Sequence, residues 1–98
     1  MLTELTDKIR RSAEGKDGFG KAILLDLGEE GAIRIDGAGE TVAVNNEAGA
    51  ADTTISMSSE TLDGLMKGEV NAPMAVMTGK IKIAGETALA LKLAKFVS

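Results

Sequence analysis

The residue types that come nearest to chemistry lie in Thr78-Gly79-Lys80-Ile81-Lys82-Ile83-Ala84-Gly85. A Gly-Lys pair can cradle phosphate when another Gly stands five residues before its own Gly and Ser or Thr follows the Lys. Met74 and Ile81 hold those two positions here, so the phosphate-loop reading fails at both. Asp17-Gly18-Phe19-Gly20 and Asp36-Gly37-Ala38-Gly39 lack the GxGxxG spacing of a dinucleotide fingerprint. They read as hairpin turns, in which Gly supplies positive φ. Glu29-Glu30 lies between Gly28 and Gly31 and reads as a solvated turn tip rather than an acid/base pair.

The chain has no His and no Cys. That removes the usual general base near neutral pH and the commonest metal ligand. It also excludes Ser-His-Asp and Cys-His catalysis. A zinc site would need carboxylates alone, which is disfavoured. No enzyme activity, metal or other cofactor is therefore expected. The net charge is −4, and Phe19 and Phe96 are the only aromatic residues. Nucleic acid binding wants a basic surface and aromatic platforms, so it is not expected either.

With 98 residues, 44% of them hydrophobic and 27% charged, residues 1–98 are expected to form one ordinary globular domain. No apolar run approaches the roughly 18 residues that span a bilayer. The start, Met1 to Ser12, has no apolar core of the kind a signal peptide needs. With Cys absent, a cytoplasmic setting is expected.

The elements around the Gly-Lys pair follow from periodicity. Leu2, Leu5, Ile9 and Ala13 give residues 2–13 an amphipathic helical stripe, broken by Gly15 and Gly18. Four half-polar strands come next. Phe19, Ile23, Leu25 and Leu27 share one side of the first, with Lys21 the exception. Ile33 and Ile35 oppose Arg34 and Asp36, and Val42 and Val44 oppose Ala43 and Asn45. Thr53, Ile55 and Met57 oppose Thr54 and Ser56. Such strands between Gly-bearing turns predict an antiparallel meander with one covered face.

The period then changes. Leu62, Leu65 and Met66 mark a helix behind a Ser58 or Ser59 cap, with Gly68 just past its end. Asn71 and Pro73 open a short helix whose Met74, Ala75, Val76 and Met77 are apolar nearly all round, which predicts burial on most sides. Lys80 and Lys82 alternate with Ile81 and Ile83 in a fifth strand, free to pair with a non-sequential neighbour, with parallel pairing open to it. The last segment reads as a helix with Leu89, Leu93, Phe96 and Val97 on one stripe and Leu91 off it, although its alternation also allows a strand. The predicted fold is α+β: a five-stranded, mainly antiparallel sheet with helices packed on one face.

Residues 51–93 resemble the sterol-carrier-protein family of lipid-transfer domains. The match runs in order: Asp52 to Ser59, then the Leu-rich helix from Leu62 to Gly68, then Asn71 to Met77 with its Asn-x-Pro turn. Gly79 to Gly85 and Leu89 to Leu93 follow. Val76 stands where many relatives carry a large aromatic, and Glu86 where many carry Asn. The chain ends Phe96-Val97-Ser98, so a peroxisomal address is not expected.

The resemblance implies noncatalytic binding, transfer or presentation of a fatty acid, fatty acyl-CoA, sterol or phospholipid in an apolar pocket between sheet and helices. The strand side of that pocket would come from Ile23, Leu25, Ile33, Ile35, Ile55 and Met57, with Ile81 and Ile83. The helix side would come from Leu65, Met66, Met74 and Met77, with Leu89, Leu93 and Phe96. Met57, Met66, Met74 and Met77 fall in this region, and Met adapts to irregular ligands as readily as it fills a core. A full pocket of roughly 300 Å³ would cost about 7 kcal/mol if dry and rigid, against a total stability of about 5–15 kcal/mol. The site is therefore expected to be small, collapsed when empty, or usually occupied. Lys80 and Lys82 would support at most a weak, salt-sensitive membrane contact, and the oligomeric state is open. The other reading is an interaction module of the same fold with a filled core, acting through partners or a second copy near Leu91 and Phe96.

Overall fold

The computed structural model of the chain describes residues 1–97; in the last helix it does not describe the side chains of residues 91 and 94–97. Helix α1 (Leu2–Ala13) buries Leu5, Ile9 and Ala13, three positions of the apolar stripe. Arg10 and Arg11 lie in its last turn, where cations favour the negative end of the helix dipole.

Strands β1 (Ala22–Asp26), β2 (Ala32–Asp36) and β3 (Ala43–Asn45) form an antiparallel meander. Strand β4 (Thr53–Ser56) leaves it and lies parallel to β1, with Ile23 opposite Thr53 and Leu25 opposite Ile55. Strand β5 (Lys82–Gly85) pairs antiparallel with β4, giving the order β3-β2-β1-β4-β5. This corrects the expected four-strand meander. The sheet is mixed, its parallel pair is β1 with β4, and the last strand is not the parallel one. Period-2 alternation fixes which face a strand buries but says nothing about its neighbours.

The crossing from β3 to β4 has a visible anchor. Arg34 on β2 donates from Nε to the Glu47 carbonyl (3.1 Å) and from Nη2 to the Ala50 carbonyl (2.9 Å). Leu24, the partner of Arg34 across β1 and β2, is buried on that outer face of the sheet. Asp52 completes the crossing. Its Oδ2 accepts from the Ala22 N–H (2.8 Å), and its own N–H donates to the Ala22 carbonyl (3.1 Å).

The inner face carries Ile23, Leu25, Ile33, Ile35 and Ile55, all fully buried in one core with Leu5 and Ile9 of α1. Helix α2 (Ser59–Met66) adds Leu62, and α4 (Thr87–Val97) adds Leu89 and Leu93. The expected stripe positions Phe96 and Val97, and the off-stripe Leu91, lie outside the described side chains. Among the described residues no helix is long and apolar enough to cross a membrane.

Helix α3 (Ala72–Met77) departs from expectation. Ala75 alone is buried, whereas Met74, Val76 and Met77 are exposed. An all-round apolar pattern carries no direction, and six residues make less than two turns. Its ends are fixed locally: the Asn71 side chain accepts from the Met74 N–H (3.1 Å). One side then reaches the core and the other faces water.

Candidate functional site

The Gly-Lys pair is the C-terminal stop of α3. Gly79 has φ +80°, and its N–H donates to the Val76 carbonyl (3.2 Å). The Lys80 N–H donates to the Ala75 carbonyl (2.9 Å). Together these bonds make a Schellman cap, with Gly at the left-handed position. The same chain reversal aims Ile81 inward, where it is buried, and leaves Lys82 exposed at the start of β5. Gly85 closes the stretch at φ +117°, where an added Cβ would lie 2.4 Å from the Asp52 carbonyl oxygen. Only Gly lets β5 sit this close to the start of β4.

Beside this stretch lies a cavity of ≈ 100 Å³. Ile55 and Met57 line it from β4 and just beyond, and Ile81 and Ile83 from β5 and just before it. Leu65 of α2, Ala72 and Val76 of α3, and Ala90 and Leu93 of α4 close it. All nine residues are apolar.

The structure thus brings together Ile55, Met57, Leu65, Ile81, Ile83 and Leu93 of the expected pocket residues. Ile23, Leu25, Ile33 and Ile35 do not line the cavity; they are packed core, part of the cluster that holds Leu5 and Ile9 of α1. Met66 is half-buried against that core. Leu89 is buried and borders a separate open depression with Phe19 and Lys92. Met74 and Met77 point away from the cavity into solvent, correcting their expected place in its wall. Phe96 falls outside the described side chains. Ala72, Val76 and Ala90 were not expected. Ala90 stands three residues before Leu93, a helical neighbour spacing that its small size masked.

No polar side chain lines the cavity, and the ion pairs lie elsewhere on the fold. Lys21, the polar exception on its strand, binds both carboxylate oxygens of Glu86, one of them at 2.6 Å. That bond, more than the nearby carboxylate charge, raises the Lys21 pKa above its ordinary value. Asp63 takes Lys67 at 2.9 Å and Lys8 at 3.8 Å, tying α2 to α1. The hydrogen bond from Lys67 is the main cause of the lowered Asp63 pKa. Glu30 accepts a hydrogen bond from the buried Ser59 hydroxyl, so one member of the Glu29-Glu30 pair tethers the start of α2. Among the described residues no three acidic, His or Cys side chains gather as metal ligands.

A family model, the SCP-2 sterol transfer family, matches residues 3–98. Hydroxysteroid dehydrogenase-like protein 2 of Bos taurus is 32% identical over 74 residues, which is 72% of this chain. The chain spans only 18% of the length of that relative. Among solved structures, the chain is similar to sterol carrier protein 2 like 2 from Aedes aegypti, with a TM-score of 0.71 and 20% identity over 96% of this chain and 94% of that one. It is also similar to the palmitated SCP2L2 solution structure from Aedes aegypti, with a TM-score of 0.62 and 19% identity over 98% of this chain and 89% of that one. At these identities the likeness is one of fold.

Proposed function

The chain belongs to the SCP-2 sterol transfer family, and from that membership we propose that it carries one long-chain lipid in the apolar space between β4, β5 and helices α2, α3 and α4. The observation that supports this most is the cavity itself. Protein interiors are close-packed, with few voids larger than a water molecule. Here nine apolar residues from five segments of the chain surround unfilled space.

Magnitude decides the form of the site. The ≈ 100 Å³ space is only part-enclosed, with Ala72 and Val76 of its lining exposed, so leaving it empty costs less than the ~2 kcal/mol of a sealed void, which a domain of about 5–15 kcal/mol tolerates. A pocket that holds a drug-sized ligand is roughly 300 Å³ or more. The empty site is therefore contracted, and a lipid must widen it. Helix α3 is the wall that gives way. It is short, capped at both ends by local bonds, and buries only Ala75.

A linear acyl chain is the ligand this space favours, because nothing polar among its lining residues would orient a head group. The fold relative from Aedes aegypti solved in palmitated form supports the same class. The protein binds and hands over its lipid without transforming it, in keeping with a chain that has neither His nor Cys. The absence of Cys also favours a reducing, cytoplasmic setting.

Native mass spectrometry of the protein purified from its own cells tests this reading. The expected spectrum shows the chain with one noncovalent lipid of fatty-acyl mass. A spectrum of bare chain alone would leave the filled-core interaction module as the better reading.

A further inference from the structure

The cavity holds nothing that would orient a polar head, yet a charged groove lies against it. The groove is open to solvent, offers ≈ 400 Å³, and sits where the parallel strands β1 and β4 end, at Asp26 and Ser56. Lys80 and Lys82 line it, with Ser58 beside them. Buried Met57 lines the groove and the cavity alike, so the two spaces meet at one apolar side chain. The chain entering β5 divides between them by alternation. Ile81 and Ile83 line the cavity, and Lys80 and Lys82 line the groove.

The charge of this groove is opposite to that of the protein. Two lysines face one aspartate, Asp26, which leaves +1 in a chain of net −4. Asp26 is engaged in its own turn, where its Oδ1 accepts from the Gly28 N–H (2.9 Å). Lys80 and Lys82 are exposed and make no ion pair among the described residues. Each ammonium therefore has its donors free for a ligand. The backbone does not compete for that role: the Gly79 and Lys80 N–H groups are spent on the Val76 and Ala75 carbonyls of the α3 cap.

We propose that this groove is a head-group site for a phosphate ester, so that the preferred cargo is a single-chain lipid with a phosphate next to its acyl chain. The inference rests on the carrier reading. The chain passes Met57 into the cavity, and the phosphate stays outside against Lys80 and Lys82. A bare carboxylate at the end of the chain would leave most of the groove to water. A phosphate ester is bulkier, carries a charge of about −1.5 to −2 and presents several acceptor oxygens. Lysine meets such a group as a point charge and needs no phosphate-loop geometry. The Gly-Lys pair thus recovers a phosphate through its side chain, after failing as a backbone cradle.

Titration calorimetry on delipidated protein tests the groove with three matched probes at ~50 and ~300 mM NaCl. They are lauroyl lysophosphatidic acid, lauroylglycerol, which lacks only the phosphate, and glycerol 3-phosphate, which lacks only the chain. Palmitate is titrated into the same samples. Wild type should bind the lysophosphatidic acid about tenfold more tightly than lauroylglycerol at low salt, and the gap should shrink at high salt. Glycerol 3-phosphate should bind at least about a hundredfold more weakly than the lysophosphatidic acid. Lys80→Gln with Lys82→Gln should bring the two acyl probes level and leave lauroylglycerol binding unchanged, since neither lysine lines the cavity. Asp26→Asn keeps an oxygen for the Gly28 N–H and removes the opposing charge, so it should tighten the lysophosphatidic acid alone by about two- to threefold. Equal binding of the two acyl probes by wild type would overturn the head-group site and leave the carrier reading standing. So would a gap that survives the double lysine substitution. Glycerol 3-phosphate bound as tightly as the lysophosphatidic acid would make the groove a site for a free phosphate ester and overturn its link to the cavity. Failure of palmitate and both acyl probes to bind would remove the carrier reading, and this inference with it.

Discussion

Gly79 is held at φ +80° by the cap that ends α3. A side chain in that left-handed conformation costs about 1–2 kcal/mol. Gly79→Ala should lower the unfolding free energy in urea by about that amount, while Lys80→Ala, on an exposed side chain, should change it by less than about 0.5 kcal/mol. The Lys21–Glu86 pair makes a prediction in pH. The folded state raises the Lys21 pKa above its unfolded value of 10.5, chiefly through the Glu86 hydrogen bond. The contribution is therefore complete below pH 10.5 and fades as pH climbs through the folded pKa. The Tm gap between wild type and Lys21→Gln should be constant near about pH 8 and narrow above the unfolded value. It should also be small and salt-sensitive, because the pair is exposed. A gap that persists undiminished at high pH would dismiss the pair as its source. Both residues stood out in the sequence, Lys21 by breaking an apolar stripe and Glu86 by departing from the family pattern. That they meet across 65 positions could not be seen there.

At the scale of elements, faces were legible and neighbours were not. The alternation of Ile33 and Ile35 with Arg34 predicted which side of β2 is buried, because side chains on a strand alternate strictly. The parallel pairing of β4 with β1 depends on Arg34 and Asp52 holding a crossing segment, a long-range arrangement that leaves no periodic trace. Helix α3 was legible at its start, Asn71 and Pro73, but not at its Gly79 stop, nor in its burial, because Met74, Ala75, Val76 and Met77 offer no polar side to read. Its thin attachment has a measurable consequence. Amides of α3 should exchange with solvent faster than those of β1, and saturating palmitate should slow them by about tenfold or more. Equal protection of α3 and β1 without ligand would mean that α3 is not the yielding wall.

Across the whole molecule, the family pattern was readable because its pieces keep their order over residues 51–93, and the family model extends the match over residues 3–98. The extent of the site was less readable. Ile23, Leu25, Ile33 and Ile35 have the same inward alternation as Ile55 and Ile83, yet the cavity lies at the β4–β5 side of the sheet and leaves them in solid core. That division predicts two kinds of variant. Leu25→Ala removes packed core and should cost about 2–5 kcal/mol in urea unfolding. Ala90→Phe instead places a ring into space that is already empty, so it should close the site at little cost in stability. The most direct measurement is the Tm of rigorously delipidated wild type and Ala90→Phe, with and without palmitate. At about a hundredfold excess over Kd, linkage adds roughly 2.7 kcal/mol, so the wild-type Tm should rise by ~10 °C or more while that of Ala90→Phe stays where it was. A wild-type Tm unmoved by saturating palmitate, or an equal rise in both proteins, would contradict a lipid site in this cavity.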